Sequence, residues 1–224
     1  MSGTAQSRPA PDRADPDRAD PGVGARPWRL RVADPEADVD LVAAERAAAD
    51  LLRALGLPLG TEAMLDTPRR MAHALAEMVT APPFDFTTFS NAEGYDEMVL
   101  VEDIAVRSVC EHHMLPFTGV AHVGYLPGDR VLGLSKLARL VDFYARRPQT
   151  QERMTTQVAD HLQRHLTPRG VGVIIEAEHT CMSLRGARAH GTRTVTSALR
   201  GHLRENPAAR AEFLHLTRHS KEAT

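Results

Sequence analysis

The sequence contains very little cysteine, no strong excess of either charge and no long apolar run. Only 2 of its 224 residues are cysteine, and 27 basic residues against 29 acidic ones leave a net charge of −2. This near balance argues against a protein that binds nucleic acid or an anionic membrane through a broad basic surface. No apolar stretch approaches the length of a membrane-spanning helix, and the first residues lack the apolar core of a secretory signal. We therefore expect a cytoplasmic protein with no nucleic-acid or membrane partner, whose thiols stay reduced.

The two cysteines stand among histidines, which makes their positions informative. Cys110 comes shortly before His112 and His113, and Cys181 comes shortly after His179. Catalytic zinc is typically held by three protein ligands and keeps one position for water, whereas structural zinc takes four. Cys110, His113 and Cys181 supply three such ligands, which predicts a catalytic zinc site. His112 and His179 are then left beside the metal for proton transfer.

Other interpretations of these residues stay open on the residues alone. A Cys-x-x-His pair is by itself a weak signal, and isolated cysteines are ordinarily buried thiols. Iron would accept the same mixed set of sulfur and imidazole ligands. Either His112 or His179 would serve as the imidazole ligand in place of His113. With zinc, the bound water ionises near neutral pH and becomes a nucleophile.

The first two parts of the chain differ in composition and periodicity. Residues 1–37 repeat the pentapeptide Pro-Asp-Arg-Ala-Asp and carry few apolar groups, so we expect a disordered tail. Residues 38–97 contain apolar stripes at helical spacing and are expected to form an N-terminal helical region. Its first helix is expected to begin near Asp38 or Asp40, and its second to have Thr67 as N-cap.

The third part, residues 98–224, is expected to form the catalytic domain and to end in a C-terminal helix. Its periodicity predicts strands over 98–109, 120–126, 171–177 and 192–199, and helices over 135–144, 151–166 and 207–217. The order of strand, strand, helix, helix, strand, strand predicts an α+β fold, an antiparallel four-stranded sheet with two helices packed on one face. The other face and the edges of the sheet need cover, which favours a homo-oligomer.

Basic residues in several segments are candidates for binding an anionic substrate. Ser135 is the predicted N-cap of a helix that carries Lys136 and, one turn on, Arg139, and at such a helix start backbone N–H groups and the helix dipole favour phosphate. A capped helix with solvated cations is the simpler interpretation of this segment alone. Arg70 and Arg185 are further candidates, although no local pattern distinguishes them from surface arginines.

An acidic residue at the start of the second predicted helix of this domain also has two interpretations. Glu152 follows Gln151 there, and an acid in the first turn suits the helix dipole. A carboxylate also accepts two parallel N–H bonds, such as those on the edge of a guanine ring. Glu152 is therefore a candidate for binding a base.

Five separated segments of the chain together form a specific set of motifs. They are Cys-Glu-His-His at 110–113, Pro-Phe-Thr-Gly at 116–119, Gly-Leu-Ser-Lys-Leu-Ala-Arg at 133–139, Gln-Thr-Gln-Glu-Arg at 149–153 and Glu-His-Thr-Cys-Met-Ser-Leu-Arg-Gly at 178–186. In this order they closely resemble GTP cyclohydrolase I. The resemblance runs from about residue 40 to residue 218 and leaves the tail outside.

The resemblance to GTP cyclohydrolase I implies a fold, a metal and a reaction. The fold would be the tunnelling fold, and zinc would lie on Cys110, His113 and Cys181. The reaction would convert GTP and water to 7,8-dihydroneopterin triphosphate and formate, the first step of folate or tetrahydrobiopterin biosynthesis. The assembly would be a homodecamer of two stacked pentamers whose sheets close into a barrel, with the active sites at subunit interfaces.

The same resemblance implies a role for each candidate residue. His112 and His179 would move protons at the purine ring, and Ser135 would act near the ribose as it rearranges. Glu152, together with Gln151, would hold the pyrimidine edge. The residues expected to hold the triphosphate are all basic: Lys136, Arg139, Arg185 and, from a neighbouring chain, Arg70.

Two rival functions share parts of this pattern. A nitrile reductase or a pterin synthase would keep the fold, but the reductase would use a cysteine nucleophile with NADPH and no zinc. The set of three metal ligands argues against the reductase. An inactive zinc-binding protein would keep the ligands but would not need His112, His179 or Glu152, and all three are present.

Overall fold

The computed structural model describes residues 28–32 and 38–219, which form two sheets surrounded by helices. The strands are β1 (Trp28–Val32), β2 (Phe84–Ser90), β3 (Val99–Cys110), β4 (Leu115–Leu126), β5 (Arg130–Leu132), β6 (Pro148–Gln149), β7 (Gly170–His179) and β8 (Thr194–Gly201). The helices are α1 (Leu41–Ala54), α2 (Thr67–Val79), α3 (Ser135–Ala145), α4 (Gln151–His165), α5 (Thr180–Ser183), α6 (His202–Glu205) and α7 (Pro207–His219).

The larger sheet contains the four strands that the sequence predicts. Its order is β6-β3-β4-β7-β8, and the pairs β3–β4, β4–β7 and β7–β8 are antiparallel. The two-residue strand β6 adds a short parallel pairing beside the end of β3, which the sequence did not predict. The register of β3 shifts between Val101 and Ile104, where Asp103 adopts a positive φ of 52°. Such a bulge bends the strand and increases its twist.

Helices α3 and α4 cover one face of this sheet, as expected from the sequence. Their fully buried residues Leu137, Leu140, Val158 and Leu162 share one apolar cluster with the inward-facing residues of β3, β4 and β7. The Thr150 hydroxyl caps α4 by accepting a hydrogen bond from a backbone N–H of its first turn. This packing fixes the first turn of α4 against the ends of β7 and β8.

Two of the predicted helix starts are wrong by one residue. Ser135 is the first residue of α3 rather than its cap, and Leu134 occupies the cap position. Thr67 is likewise the first residue of α2, and Asp66 precedes it without a side-chain capping bond. The Asp66 carboxylate is instead paired with arginines one turn further on. The predicted start at Asp40 is confirmed, since its carboxylate accepts a hydrogen bond from the N–H of Ala43 at 2.9 Å.

The opposite face of the large sheet is covered in part by α7. Phe213 is fully buried there and packs against the sheet with Leu126 and Leu203. A Cβ atom at Gly172 would lie 2.7 Å from the Phe213 ring, so the glycine at this position allows the helix to approach the strand. The predicted C-terminal helix is therefore present and belongs to a second, smaller apolar cluster.

A second sheet joins the N-terminal part of the chain to the rest, and the sequence did not predict it. Its order is β1-β2-β5, so a strand from 38–97 pairs on one side with a strand from 98–224. On its other side lies β1, which falls inside the predicted tail 1–37. The remainder of that tail lies outside the described residues. Among the helices that the structure describes, none is both long and apolar enough to cross a membrane.

Candidate metal and substrate site

The turn between β3 and β4 carries the first cluster of candidate residues. Cys110 is the last residue of β3 and is buried, whereas His112 and His113 are exposed in the turn that follows. The N–H groups of His113 and Met114 both donate to the carbonyl oxygen of Cys110, at 3.3 Å and 2.8 Å. This tight turn brings the Cys110 sulfur to 4.0 Å from Nδ1 of His113 and 3.9 Å from Nδ1 of His112.

Cys181 reaches the same place from the end of β7. Strand β7 pairs with β4 so that His179 lies opposite Phe117, close to the turn after β3. The short helix α5 begins there, and the hydroxyl of Thr180 anchors it by donating to the carbonyl oxygen of Pro116 at 2.6 Å. The Cys181 sulfur then lies 3.9 Å from the Cys110 sulfur.

The three predicted ligands have a geometry that fits a metal ion. The candidate ligand atoms of Cys110, His113 and Cys181 all lie within 4.8 Å of one another. Tetrahedral zinc with ordinary bond lengths places two sulfurs about 3.8 Å apart, and a sulfur and a nitrogen about 3.6 Å apart. Burial, followed by the neighbouring Cys110 sulfur, raises the pKa of the Cys181 thiol. A bound cation reverses this preference, because it coordinates the thiolate.

His179 is held at the side of this ligand set. Its ring stacks on Phe117, with ring centroids 4.4 Å apart and planes inclined by 12°. Its Nε2 lies 2.8 Å from Oε1 of Gln151. Burial lowers the pKa of His179, and the carboxylate of Glu152 opposes that shift. The ring is therefore rigidly placed and predominantly neutral near pH 7.

A pocket of about 300 Å³ opens beside these residues. Its lining combines the candidate ligands, the two histidines that are not candidate ligands and the start of α4. The lining residues are Cys110, His112, His113, Gln149, Thr150, Gln151, Glu152, His179, Cys181, Met182 and Thr194. The structure therefore brings together, in one chain, the predicted metal ligands, both proton-transfer candidates and both residues expected to hold the base. Glu152 is exposed, whereas the side chain of Gln151 is buried and bonded within the protein.

A salt bridge that the sequence analysis missed braces the turn after β3, which carries His112 and His113. Arg153 in the first turn of α4 is paired with Glu111, and its Nε donates to Oε1 of Gln149 at 2.8 Å. The backbone N–H of Glu111 donates to the carbonyl oxygen of Gln149 at 3.0 Å. The only signal in the sequence is that these residues stand inside the motifs 110–113 and 149–153.

The candidate residues on α3 do not line this pocket. The hydroxyl of Ser108, two residues before Cys110, donates to the carbonyl oxygen of Ala145 at 2.6 Å, so the last turn of α3 lies beside the metal-binding end of β3. Ser135 is at the other end of this helix, and 11 residues at the α-helical rise span about 15 Å. Lys136 and Arg139 lie in the first two turns of the same helix, and neither lines the pocket.

The two remaining arginines are also outside the pocket lining. Arg185 follows α5 and is exposed. Arg70 lies in the first turn of α2, where its guanidinium bonds to Asp66, to Thr67 and to the carbonyl oxygen of Ala63. Among the residues that the structure describes, none of those lining the pocket is a lysine or an arginine.

Comparison with known proteins decides the family. The sequence profile of GTP cyclohydrolase I matches residues 44–218, which is most of the chain and includes every candidate site residue. The chain belongs to the GTP cyclohydrolase I family. The resemblance found from the separated motifs is thus confirmed.

Individual members of the GTP cyclohydrolase I family are similar over most of this chain. The protein named GTP cyclohydrolase 1 from Streptomyces avermitilis is 54% identical over 178 residues, covering 77% of this chain and 88% of its own. The protein of the same name from Thermobifida fusca is 48% identical over 199 residues, covering 84% and 96%. That from Mycobacterium tuberculosis is 50% identical over 193 residues, covering 84% and 93%.

A solved structure outside this family is also similar in part. It is described as the crystal structure of the archaeosine synthase QueF-Like in the apo form, and it matches 46% of this chain and 93% of its own at 19% identity. The TM-score is 0.39, which is too low to support an argument about function.

Proposed function

We infer that this chain is an enzyme that converts GTP and water to 7,8-dihydroneopterin triphosphate and formate, the first step of pterin biosynthesis. Membership of the GTP cyclohydrolase I family and relatives of that name at about 50% identity support this reaction. The observation that carries the proposal is the pocket itself. It places a Cys-His-Cys group beside two further histidines and an exposed carboxylate.

Zinc is the metal we propose for the Cys110, His113 and Cys181 group. Two thiolates and one imidazole suit zinc, and three ligands are the number that leaves a position open in catalytic sites. When bound, zinc acts as a Lewis acid and lowers the pKa of a water molecule, which supplies the nucleophile for hydrolysis.

The protein residues around this group have the chemistry to bind and protonate a guanine ring. Glu152 is exposed at the pocket, and its carboxylate accepts the ring N–H and the exocyclic amine of guanine together. His112 and His179 flank the Cys-His-Cys group, so we propose that they transfer protons to and from the purine nitrogens as the five-membered ring opens. This assigns recognition and proton transfer to one end of the large sheet.

We propose that a second copy of the chain completes the site. GTP carries a triphosphate, yet the described residues lining the pocket include no lysine or arginine. Along α3, Ser135 and Lys136 lie about 14–15 Å, and Arg139 about 9 Å, from the helix end beside Cys110, and none of the three lines the pocket. If Arg185 and the Arg70 of a neighbouring chain bind the triphosphate together with Lys136 and Arg139, the triphosphate lies where subunits meet. The homodecamer implied by the resemblance is the assembly we propose, in the cytoplasm.

The proposed reaction has a direct test with the full chain. Zinc-loaded protein incubated with GTP should release formate and yield, after oxidation, a fluorescent pterin in equal amounts. The matched control is the His113→Ala variant, which should do neither. Absence of both products from zinc-loaded wild-type protein would refute the proposed function.

A further inference from the structure

The side chain of Gln151 joins three elements of the fold inside the protein. It starts from the first turn of α4 and is only 2% exposed. Its Nε2 lies 3.0 Å from the carbonyl oxygen of Ile175, 2.9 Å from that of Thr194 and 3.1 Å from Oγ1 of Thr196. The amide nitrogen is therefore surrounded by oxygens of β7 and β8.

These neighbours decide which way the amide group faces. Carbonyl oxygens only accept hydrogen bonds, so the atom that faces Ile175 and Thr194 has to be the N–H₂ group. Turning the amide over would place its oxygen against two carbonyl oxygens, which cannot donate to it, and would remove the donor that both carbonyls now have in Gln151. Oε1 of Gln151 consequently faces outward, 2.8 Å from Nε2 of His179.

The orientation of Gln151 fixes the proton on His179. Because Oε1 is an acceptor, Nε2 of His179 has to carry a hydrogen to bond with it. In a neutral imidazole the other nitrogen, Nδ1, then holds a lone pair, since the partner of one ring nitrogen sets the state of the other. Within the described part of the chain, Nδ1 has no hydrogen-bond partner, while stacking on Phe117 holds the ring in place.

A second layer of hydroxyl groups supports this arrangement. Oγ1 of Thr155 donates to the backbone oxygen of Gln151 at 2.7 Å and lies 2.7 Å from Oγ1 of Thr196. The Thr196 hydroxyl therefore donates to Thr155 and accepts from Gln151, so each hydroxyl has a consistent role. The two hydrogens of the Gln151 amide serve three oxygens, so one hydrogen is shared, and the network holds the amide in one orientation.

We propose that Gln151 is a positioning residue that holds His179 in its Nε2–H tautomer and leaves Nδ1 to exchange the proton with the substrate. This role replaces the contact with the pyrimidine edge that the sequence analysis assigned to Gln151, because its side-chain amide is already fully bonded within the protein. The proposal rests on the proposed function, in which His179 transfers protons to the purine. Glu152 alone then supplies the side chain that recognises the base edge.

Two substitutions at this position separate the possible roles. Gln151→Leu has a similar volume but loses every hydrogen bond of the amide. Gln151→Glu, buried as the neutral acid, keeps an oxygen that accepts from His179 and one O–H that donates to a carbonyl oxygen. The glutamate variant should therefore restore much of what the leucine variant loses.

Nitrogen-15 spectra of histidine-labelled, zinc-loaded full-length protein test the tautomer without any turnover. The His179→Ala variant identifies the signals of that ring. Wild-type protein and Gln151→Glu should show the Nε2–H form, and Gln151→Leu should show a mixture or the Nδ1–H form. The same tautomer in wild type and in Gln151→Leu would overturn the proposal, even if the protein turned out not to act on GTP.

Steady-state kinetics then distinguish positioning from substrate binding. Gln151→Leu should lower kcat by about tenfold to a hundredfold, the usual effect of losing an orienting partner, with little change in KM. Added to His179→Ala it should cause no further loss, since residues that act through one another are not additive. A raised KM with unchanged kcat would make Gln151 a substrate contact, and an equal further loss in the His179→Ala background would make its role purely structural. Either result would contradict the proposal.

Discussion

The two halves of the proposed site differ in how far a single chain assembles them. The half proposed to bind the metal and the base comes together in one chain, with the candidate ligand atoms of Cys110, His113 and Cys181 within 4.8 Å of one another. The half expected to bind the triphosphate is not, because Lys136 and Arg139 lie toward the far end of α3. We therefore propose that one subunit supplies the groups for the chemistry, and that the triphosphate is held only in the assembled oligomer.

Strand register explains why the first half assembles within one chain. Cys110 pairs with Leu115 across the tight turn, and Phe117 pairs with His179 two residues before Cys181. A shift of one residue in either pairing would send these side chains to the other face of the sheet. The buried residues of β4 and β7 fix that register, so the core of the fold also fixes the relative positions of Cys110, His113 and Cys181.

The largest effect is expected at the metal ligands, and it separates two adjacent histidines. His113→Ala and Cys181→Ser should lose the zinc, about one ion per chain, together with all GTP turnover. His112→Ala should keep the zinc and turn over GTP about a hundredfold more slowly, as expected for a general acid–base residue. Zinc content and formate release, measured side by side, check this.

The same measurements test which of the two histidines is the metal ligand and which transfers protons, because Nδ1 of His112 and of His113 lie at similar distances from the Cys110 sulfur. A metal-free His112→Ala protein beside a fully loaded His113→Ala protein would exchange the two roles.

An intermediate effect is expected at Glu152, which we propose recognises the base and which is not one of the candidate metal ligands. Glu152→Ala should raise KM for GTP by about tenfold to a hundredfold, the usual cost of losing hydrogen bonds to a charged group. Its discrimination between GTP and ATP should fall, because ATP lacks the paired donors that the carboxylate accepts. Zinc content should remain that of wild type. Unchanged discrimination in this variant would place base recognition elsewhere.

The smallest effect is expected from the salt bridge between Arg153 and Glu111, which braces the turn after β3. Arg153→Ala should weaken zinc binding by only a few fold, because exposed ion pairs contribute about 1 kcal/mol or less. The matched control is Arg146→Ala, which removes an exposed pair with Asp142 at the end of α3. Competition with a chelator measures both affinities, and an equal loss in the two variants would show that the brace has no specific role.

The sequence predicted which residues meet in the Cys-His-Cys group, because these residues carry local patterns. Cys-x-x-His and His-x-Cys are distinctive at short range, and the strands that lead to them have clear periodicity. The two covering helices and the strands β3, β7 and β8 were predicted within about two residues of their observed bounds from local apolar patterns. Strand β4 was predicted too short, because it begins at Leu115 and not at residue 120.

Long-range partners could not be predicted in the same way. Strand β2 was missed because its role becomes visible only when β5 pairs with it from residues 130–132. The hydrogen bonds of the Gln151 amide could not be predicted either, because nothing in its sequence neighbourhood reveals the carbonyl oxygens of Ile175 and Thr194 around it. The predicted cap positions of α2 and α3 were wrong by one residue, because Thr67 and Ser135 are equally acceptable as the first residue of a helix.

Subunit mixing tests most directly whether the two halves of a site come from different copies. A Cys181→Ser chain lacks the metal half, and a chain with both Lys136→Ala and Arg139→Ala lacks the triphosphate half. Each should be inactive alone at GTP concentrations well below KM. The two chains are co-expressed in equal amounts with different tags, and the mixed oligomers are purified over both tags. Random mixing should then restore about a quarter of the wild-type sites, because half of the metal halves and half of the triphosphate halves are intact. Activity that stays at the sum of the two parents would show that one chain supplies both halves, against this account.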